Sequence, residues 1–270
     1  MSGPRLAPDD LSLAVVSCAG LGAFAWPLSV GAASSQPAAL FTGLIAAAAI
    51  VVLALGVLSH RLSTRQLAVL AALVAIDASL RLVLVIGLLG FSPIFFLVIV
   101  AGYVMGPGFG FALGALTLLL SAFLTAGFGP WLPYQMLATA WVGMGAGYLG
   151  RFARLPRSPL RLAVLALYGC AAGFGYGILL DLWEWPLLLT GGGSGIGWTP
   201  GLTIGELLQR FGAFYLATSV IYDAFRGVGN LLLVLLLGPP VVAALLRFKR
   251  RFLVEWSAPV KLGDDVRSPA

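Results

Sequence analysis

The sequence predicts an all-α polytopic membrane protein with about eight transmembrane helices. Hydrophobic residues make up 60% of the 270 residues and charged residues only 10%, whereas about a quarter of the residues of a soluble domain are charged. Apolar runs close to the ~20 residues that cross a bilayer recur along the whole chain. A soluble domain of this length could not cover so much apolar surface, so that class is excluded.

Eight apolar runs account for most of the chain, at residues 12–32, 38–58, 66–89, 92–106, 109–127, 134–150, 161–183 and 222–246. The fourth and sixth runs are short, so the predicted number of spans is eight, plus or minus one. The first run is longer than the ~7–15 apolar residues of a signal peptide, and Asp9 and Asp10 precede it. We therefore predict that it is a helix of the folded protein rather than a cleaved signal.

Basic residues lie in three segments between or after the runs, at 60–65, 151–161 and 247–251. With eight spans, these segments and both termini lie on one side of the bilayer. The segments on the other side contain a single basic residue, Arg210. Because Lys and Arg concentrate in cytoplasmic loops, we predict a cell-membrane protein with both termini in the cytoplasm. The net charge of +6 is explained in this way and does not indicate a nucleic acid partner.

Small residues at four-residue spacing form smooth faces on several runs. Ala71 and Ala75 form one on the third run, and it packs either inside the fold or against another membrane subunit. Such faces let helix backbones approach closely where lipid gives no hydrophobic drive for association, so for the glycines we predict contacts inside the bundle. The glycine faces consist of Gly106, Gly110 and Gly114; Gly143 and Gly147; and Gly169, Gly173 and Gly177.

Charged and amide side chains lie at depth in the third and eighth runs. Asp77 and Arg81 are four residues apart and share one helix face. They form either a structural ion pair or part of a pocket in which Arg81 offers a forked donor to a ligand. Asp223, Arg226 and Asn230 share one face near the outer end of the eighth run. We predict that these groups line a cup that opens to the outside.

The stretch "FGPWLPYQML" at 128–137 places a rigid aromatic corner at the same outer level. It contains Trp131 and Gln135, which we predict at the rim of the cup. The outer loop at 184–211 contains Trp185, Trp198 and a glycine cluster, and Trp183 lies directly before it. This loop is either an interfacial anchor with a flexible connector or, together with Trp131, a lid over the cup.

Signatures of an ATPase or a common hydrolase are missing from the sequence. No "GxxxxGK[ST]", "HExxH" or "GxSxG" occurs, His60 is the only histidine, and the two cysteines lie inside apolar runs. We therefore predict no cofactor and no metal site, and a binding protein rather than an enzyme. Two alternatives stay open: a stand-alone secondary transporter driven by protons through Asp77, and an integral-membrane lipid-modifying enzyme that uses Asp77, Asp181, Glu184 and Asp223.

Three stretches resemble the substrate-specific S component of energy-coupling factor transporters. They are "AALVAIDASLRL", "GPGFGFALGALTLLLSAFLTAGFGPWLPYQML" and "YDAFRGVGNLLLVLLLGPPVVAALLRF", and together they cover about residues 65–250. The most specific piece, "GPWLPYQM", is similar to a "GPWTPWQM"-type corner of one branch of that family. The resemblance implies a six-helix core at 65–250, preceded by two extra helices at 1–64 and followed by a cytoplasmic tail at 251–270.

The resemblance also implies a function and partners. Such a subunit binds a vitamin or related micronutrient from outside, and works with a membrane coupling subunit and two cytoplasmic ATPase subunits. Ala71 and Ala75 match the Ala-x-x-x-Ala face that docks the coupling subunit in that family. The branch is similar to S components associated with cobalamin or its precursors, with other B vitamins and a modified-base precursor as alternatives.

Overall fold

The computed structural model of the protein describes residues 8–30, 45, 47–52, 54–56, 62–84, 94–152, 159–189 and 195–252. Within these residues the fold is helical and has no β-strand, which confirms the predicted all-α membrane class. The helices are α1 (Pro8–Val30), α2 (the described residues of Ala47–Gly56), α3 (Thr64–Leu84), α4 (Ile94–Met105), α5 (Pro107–Thr125), α6 (Leu132–Phe152), α7 (Pro159–Leu188), α8 (Ile204–Thr218) and α9 (Val220–Phe252).

Four stretches of these helices are long and apolar enough to cross a membrane, at Asp10–Leu28, Pro107–Thr125, Pro159–Leu187 and Val220–Arg250. Helices α3 and α6 have 21 residues each, or about 31 Å of helix, which also matches the thickness of a bilayer core. Helix α4 has only 12 residues and measures about 18 Å. The described part of the fourth predicted run is therefore too short to cross the bilayer.

Helix α4 lies at the centre of the bundle and packs against α3, α5, α6, α7 and α9. Its residues 95–102 are all buried, which explains why apolar residues occupy every face of this helix rather than one stripe. Gly106 alone separates α4 from α5, and its φ of 112° turns the chain sharply. A residue with a Cβ rarely adopts that conformation, so glycine is required at this corner.

The predicted glycine contacts are confirmed except at Gly106, which precedes α5 and where a Cβ would meet nothing within 4 Å. A Cβ at Gly110 on α5 would collide with the backbone carbonyl of Gly143 on α6, so these two helices touch through their backbones. A Cβ at Gly173 on α7 would lie 2.8 Å from the backbone of Gly227 on α9. The glycine stripes therefore set the spacing of the two helix pairs, α5 with α6 and α7 with α9.

Polar side chains tie α1 to α6 along a set of contacts that we call the N-terminal seam, formed by Asp10, Ser17, Trp141, Tyr148 and Arg151. The Arg151 guanidinium donates to both carboxylate oxygens of Asp10 at 2.6 and 2.8 Å, and the Tyr148 hydroxyl donates to the same carboxylate at 3.1 Å. Trp141 Nε1 donates to Ser17 Oγ at 3.1 Å. The first helix is thus bound to the bundle by satisfied hydrogen bonds as well as by apolar contact.

Side chains of the two N-terminal helices also join the apolar core of the bundle. Phe24 on α1 and Val51 on α2 are 1% and 2% exposed and belong to the same cluster as the side chains of α4 and α5. The division into two extra helices at 1–64 and a core at 65–250 stays a prediction. Most of the predicted tail at 251–270 lies outside the described residues.

The segment at 184–211 is not the loop that the sequence led us to predict. Helix α7 continues through its beginning, and α8 starts inside it at Ile204. The start of α8 is fixed by a capping box, in which the Glu206 backbone N–H donates to Thr203 Oγ1 at 3.4 Å and the Thr203 N–H donates to the Glu206 carboxylate at 2.9 Å. This Thr-x-x-Glu pattern is a helix start signal that can be found in the sequence.

Aromatic residues hold α8 against the end of α7. Trp185, Trp198 and Phe214 form a buried cluster, and Trp185 Nε1 donates to the backbone carbonyl of Ile196 at 2.8 Å. All three tryptophans that we considered as interfacial anchors, Trp183 included, are therefore packed inside the protein. The glycines at 191–193, on which the prediction of a flexible connector depends, lie outside the described residues; the described part of the lid candidate includes a helix with a packed aromatic face.

Charged residues divide the bundle into two ends. At the end where α6 begins and α9 begins lie Asp181 and Arg226, and we call it the polar end. At the other end, where α6 and α9 finish, lie Arg151, Arg161 and Arg247, and we call it the basic end. The aromatic corner at 128–137 belongs to the polar end, because Tyr134 stacks on Trp183 near the end of α7 with ring centroids 4.3 Å apart.

Candidate functional site

Helix α9 presents three polar side chains to α7 within its first three turns: Asp223, Arg226 and Asn230. Asp223 and Arg226 form an ion pair, and Arg226 Nη1 also donates to the backbone carbonyl of Gly173 at 3.4 Å. Asn230 Nδ2 donates to the carbonyl of Gly169 at 3.2 Å. The glycine stripe makes this contact possible, since a Cβ at Gly177 would collide with the Asp223 carboxylate.

Two tyrosines complete the surroundings of the ion pair. Tyr215 on α8 donates its hydroxyl proton to Asp223 at 3.0 Å, so α8 contributes to the site directly. The Arg226 guanidinium lies over the ring of Tyr176, 4.9 Å from its centroid. That distance is within the range of a cation–π contact. Phe95 packs against the other side of the same ring, edge to face.

Asp77 lies buried on α3 and does not form the ion pair with Arg81 that we considered. Neither oxygen of the Asp77 carboxylate has a hydrogen-bond partner among the described residues. The Arg81 guanidinium and the Thr117 hydroxyl on α5 are near it. Residues four apart on a helix can pair only if both side chains bend toward each other; here Asp77 points into the core, and Arg81 is half-buried.

Several buried polar atoms at the polar end and in the bundle interior lack a partner within the described part of the chain. A buried polar group without a hydrogen bond costs about 1–3 kcal/mol, and native proteins contain few of them. The atoms are Asp77 Oδ1 and Oδ2, Thr117 Oγ1, Ser121 Oγ, Tyr134 Oη, Asp181 Oδ2 and Asn230 Oδ1. A ligand that carries hydrogen-bond donors would satisfy most of them.

We call the residues that surround these atoms the polar cluster: Asp77, Arg81, Thr117, Ser121, Tyr134, Tyr176, Asp181, Asp223, Arg226 and Asn230. They come from α3, α5, α6, α7 and α9, all of which surround the central helix α4 or pack directly on it. Tyr176 connects the two halves of the cluster, because both Arg81 and Arg226 lie within electrostatic range of its hydroxyl. Asp181 and Asp223 likewise lie within electrostatic range of Arg226.

Trp131 and Gln135 are placed at the polar end but outside the polar cluster. Trp131 is 43% exposed, and its indole covers Gly129. Gln135 is half-buried in the first turn of α6, and its backbone carbonyl accepts a hydrogen bond from the Thr139 hydroxyl at 2.9 Å. No described contact joins either side chain to Arg226, and from the same corner it is Tyr134 that points inward.

The residues that sequence reasoning missed are mostly uncharged. Thr117, Ser121 and Thr125 are the hydroxyl-bearing positions of an otherwise apolar α5, at four-residue spacing and therefore on one face, and this pattern is present in the sequence. Tyr176 lies between two glycines of the α7 stripe, and nothing in the sequence marks it as the neighbour of Arg226. Tyr215 belongs to α8, whose first part lies in the segment that we predict as a loop.

Ala71 and Ala75 lie on the outer surface of α3 in this chain, exposed to the surroundings of the bundle. Beside Ala71, α3 and α5 enclose an apolar groove with a volume of about 430 Å³. Its walls are formed by larger side chains such as Leu116 and Phe123. In the described part of the chain both alanines are exposed, so the internal packing that we considered for this small-residue face is not seen there.

Comparison with known families finds one match. The family model of the substrate-specific component of ECF transporters matches residues 65–238, which is more than half of the chain and includes α3 to α8 and the first part of α9. No curated protein and no solved structure matches the chain.

Proposed function

Because the chain belongs to the family of substrate-specific components of ECF transporters, we propose that it captures a vitamin or related micronutrient for an ATP-driven importer. It is a membrane-embedded transport subunit rather than an enzyme. The observation that carries the proposal is the polar cluster, whose buried oxygens lack partners among the described residues. A protein retains such groups at a cost in stability when a bound ligand satisfies them.

Sidedness supports uptake from outside the cell. Arg151, Arg161 and Arg247 all lie at the basic end, and basic residues concentrate on the cytoplasmic side of membrane proteins. This rule places the polar cluster nearer the outer surface, with both termini in the cytoplasm and the protein in the cell membrane. A ligand would then enter between the aromatic corner of α6 and helix α8.

The partners that we propose are a membrane coupling subunit and two cytoplasmic ATPase subunits. The sequence contains no phosphate-binding loop that would hydrolyse ATP, so energy must come from another chain. The exposed Ala71 and Ala75 face, with the apolar groove beside it, has the small-residue surface that transmembrane helices use for close packing. We propose that the coupling subunit docks there.

The chemistry of the polar cluster favours a ligand with several amide or hydroxyl donors. Asp77, Asp181 and Asn230 offer unpartnered acceptor oxygens, while Arg81 and Arg226 can donate to carbonyl or anionic groups. Cobalamin and its precursors carry many peripheral amides and fit this description. Other B vitamins and a modified-base precursor are the alternatives that a binding screen separates.

The test is a binding screen on the purified full-length chain in detergent, by thermal shift and calorimetry, with cobalamin, its precursors and the other B vitamins. We expect one of them to stabilise the protein. Arg81→Ala should abolish binding while expression is unchanged, and Arg65→Ala serves as the matched control. Arg65 is exposed on the same helix, sixteen residues and about 24 Å away, so its loss should leave binding intact.

Two results together would contradict the proposal: no vitamin stabilises the chain, and no ATPase or coupling subunit copurifies with it. The alternative of a proton-driven secondary carrier is favoured by one observation: the carboxylate of Asp77 is buried and has no hydrogen-bond partner among the described residues. That alternative predicts uptake into liposomes that contain this chain alone, with a dependence on the pH gradient and loss of uptake in Asp77→Asn.

A further inference from the structure

A second cavity lies at the basic end, far from the polar cluster. It has a volume of about 480 Å³ and opens between α4, α7 and α9. Arg161 from the first turn of α7 and Arg247 and Arg250 from the last turns of α9 contribute to its wall, together with Tyr103 at the end of α4. The cavity has no role in the proposed binding of a vitamin.

Within the part of the chain that the structure describes, no carboxylate neutralises the positive charge of this cavity. Arg161, Arg247 and Arg250 have no carboxylate partner among the described residues. The one acidic side chain described at this end, Asp10, is bound by Arg151 in the N-terminal seam. Lys249 adds a further positive charge next to the cavity, where its ammonium donates to the backbone carbonyl of Val104 at 2.6 Å. Three guanidinium groups with free donors are suited to a phosphate group, which they can bind through paired hydrogen bonds.

The rest of the wall is apolar. Leu162, Leu165, Val242 and Leu246 form it, at positions that face the space between α7 and α9. Pro239 lies at its deeper side, within the Gly-Pro-Pro stretch where α9 lacks two backbone donors. A small hydrated anion would gain nothing from such a surface, whereas an acyl chain attached to a phosphate would bury part of its length there.

The position in the membrane agrees with this combination. The arginines lie in terminal turns of spanning helices, Arg161 in the first turn of α7 and the other two in the last turns of α9, where the headgroups of the bilayer begin. The apolar wall extends from there toward the hydrocarbon core. Basic pockets between transmembrane helices on the cytoplasmic side are suited to anionic lipid headgroups. We propose that this cavity binds one anionic phospholipid, with its phosphate held by Arg161, Arg247 and Arg250 and the start of an acyl chain against the leucines.

Native mass spectrometry of the full-length protein, released from nanodiscs of mixed phosphatidylglycerol and phosphatidylcholine, tests the proposal. We expect one phosphatidylglycerol to stay bound in preference to phosphatidylcholine. The triple variant Arg161→Gln, Arg247→Gln, Arg250→Gln should lose this preference. At about fivefold per arginine near the membrane surface, the combined weakening is on the order of 100-fold.

A control variant, Arg65→Gln with Arg210→Gln, removes positive charge at described positions that do not line the cavity. It should retain the lipid as the unchanged protein does. An equal loss per removed charge in both variants would show a diffuse attraction of the whole basic surface and would overturn the site. Competition by inorganic phosphate at millimolar concentration that displaces the lipid completely would overturn the lipid as the occupant in favour of a free anion.

A second variant keeps all three arginines, in case their removal prevents folding. Ala243 lines the cavity, and Ala243→Phe should fill part of it and displace the acyl chain while leaving the charge unchanged. We expect reduced retention of phosphatidylglycerol in this variant and normal binding of the vitamin ligand. Full retention of the lipid would contradict the proposed place of the acyl chain, whereas failure of vitamin binding in all forms of the protein would concern only the polar cluster.

Discussion

Two groups of polar side chains lie inside this apolar bundle, and they differ in how their hydrogen bonds are satisfied. In the N-terminal seam, Arg151 and Tyr148 both donate to Asp10, and Trp141 donates to Ser17. In the polar cluster, an ion pair and two bonds to backbone carbonyls are present, but seven buried oxygens have no partner among the described residues. Within the described residues, the hydrogen bonds of the first group are complete and those of the second are not.

This difference indicates what each group contributes. A satisfied polar contact between helices adds a modest net stability, about 0.5–1.5 kcal/mol per hydrogen bond, and fixes the register of α1 on α6. An unsatisfied group inside a membrane protein lowers stability, since lipid offers no alternative partner. We infer that the seam holds the extra N-terminal helix in place, and that the polar cluster is preorganised for a molecule that arrives from outside.

The largest expected effect is a difference in the free energy of unfolding between a variant that loses Arg226 and one that loses Arg151. The side chains of Arg226 and Asp223 are 15% and 2% exposed, against 30% and 7% for Arg151 and Asp10. Arg226→Ala leaves a buried carboxylate uncompensated and should lower the free energy of unfolding by about 3–5 kcal/mol. Arg151→Ala should cost less, about 1–3 kcal/mol, because its site is partly solvated. Chemical denaturation in detergent measures both.

The double variant Asp223→Asn, Arg226→Gln sharpens this comparison. It removes both charges, so stability should recover by a large part of the loss while ligand binding stays absent. If Arg226→Ala alone were as stable as the unchanged protein, the ion pair would be solvated. The polar cluster would then be open to water rather than buried.

A smaller effect is expected when the close approach of α7 and α9 is prevented. Gly173→Ala introduces a methyl group 2.8 Å from the backbone of Gly227, and overpacking of this kind costs about 1–3 kcal/mol. It should also weaken ligand binding, since Arg226 donates to the Gly173 carbonyl. A Cβ at Gly175, on the same helix, meets nothing within 4 Å. Gly175→Ala should therefore raise stability slightly, by about 0.5–1 kcal/mol, as thermal unfolding would show.

Equal losses in these two alanine variants would mean that helix flexibility, rather than close packing, explains the glycine stripe. Loss of stability in Gly173→Ala with full ligand affinity would separate the packing of α9 from its role in the polar cluster.

Replacement of one hydroxyl in each group is the most direct test of the comparison. Ser121 Oγ is buried without a partner in the described chain, whereas Ser17 Oγ accepts a hydrogen bond from Trp141. Both serines are in helices, so Ser→Ala changes helix propensity equally. Ser121→Ala should leave stability unchanged or higher, and Ser17→Ala should lower it by about 1 kcal/mol. With ligand bound, Ser121→Ala should lose more stability than Ser17→Ala if Ser121 contacts the ligand.

Stability measured with and without the ligand distinguishes the outcomes. A loss in Ser121→Ala without ligand would reveal that this hydroxyl is already satisfied, for example by an internal water. The polar cluster would then be a structural network like the seam, and the argument for a binding site would lose its main support.

Much of this architecture could be predicted from the sequence because it depends on local rules. Hydropathy located the spanning helices, and glycine spacing predicted the contacts that Gly110 and Gly173 now make. The face of α9 with Asp223, Arg226 and Asn230 followed from helical periodicity alone. These features require only the neighbours along one helix.

Other features depend on which helix faces which, and the sequence does not contain that information directly. Asp77 turns toward α5 rather than toward Arg81, because the interior lies on that side of α3. Tyr176 meets Arg226 only once α7 and α9 are packed together. Helix α8 is a different case, since its capping box is visible in the sequence, but the glycines before it favoured the interpretation of a loop.

The smallest expected effect is on the pKa of Glu206 in the capping box of α8. This polar contact is exposed to water, unlike those of the N-terminal seam and the polar cluster. The capping box of α8 is fully exposed, and the hydrogen bonds from Thr203 to the Glu206 carboxylate, at 2.7 Å from its hydroxyl and 2.9 Å from its N–H, lower the pKa of Glu206. A carboxyl whose pKa is depressed in the folded state contributes stability above its unfolded pKa, about 4.3, and loses it as the pH falls through the lower folded pKa.

Carbon-13 NMR of protein labelled at the glutamate carboxyl measures this directly, because the chain contains only three glutamates, Glu184, Glu206 and Glu255. The Glu206 resonance, assigned by its loss in Glu206→Gln, should titrate below the ordinary value for a glutamate. Thr203→Ala should bring its midpoint back toward that value and should leave the vitamin affinity at pH 7 unchanged, because Glu206 does not touch the polar cluster. A midpoint unaffected by Thr203→Ala would show that the cap is not formed in solution. If ligand binding were lost instead, the start of α8 would hold Tyr215 against Asp223, and the exposed cap and the buried cluster would be parts of one site.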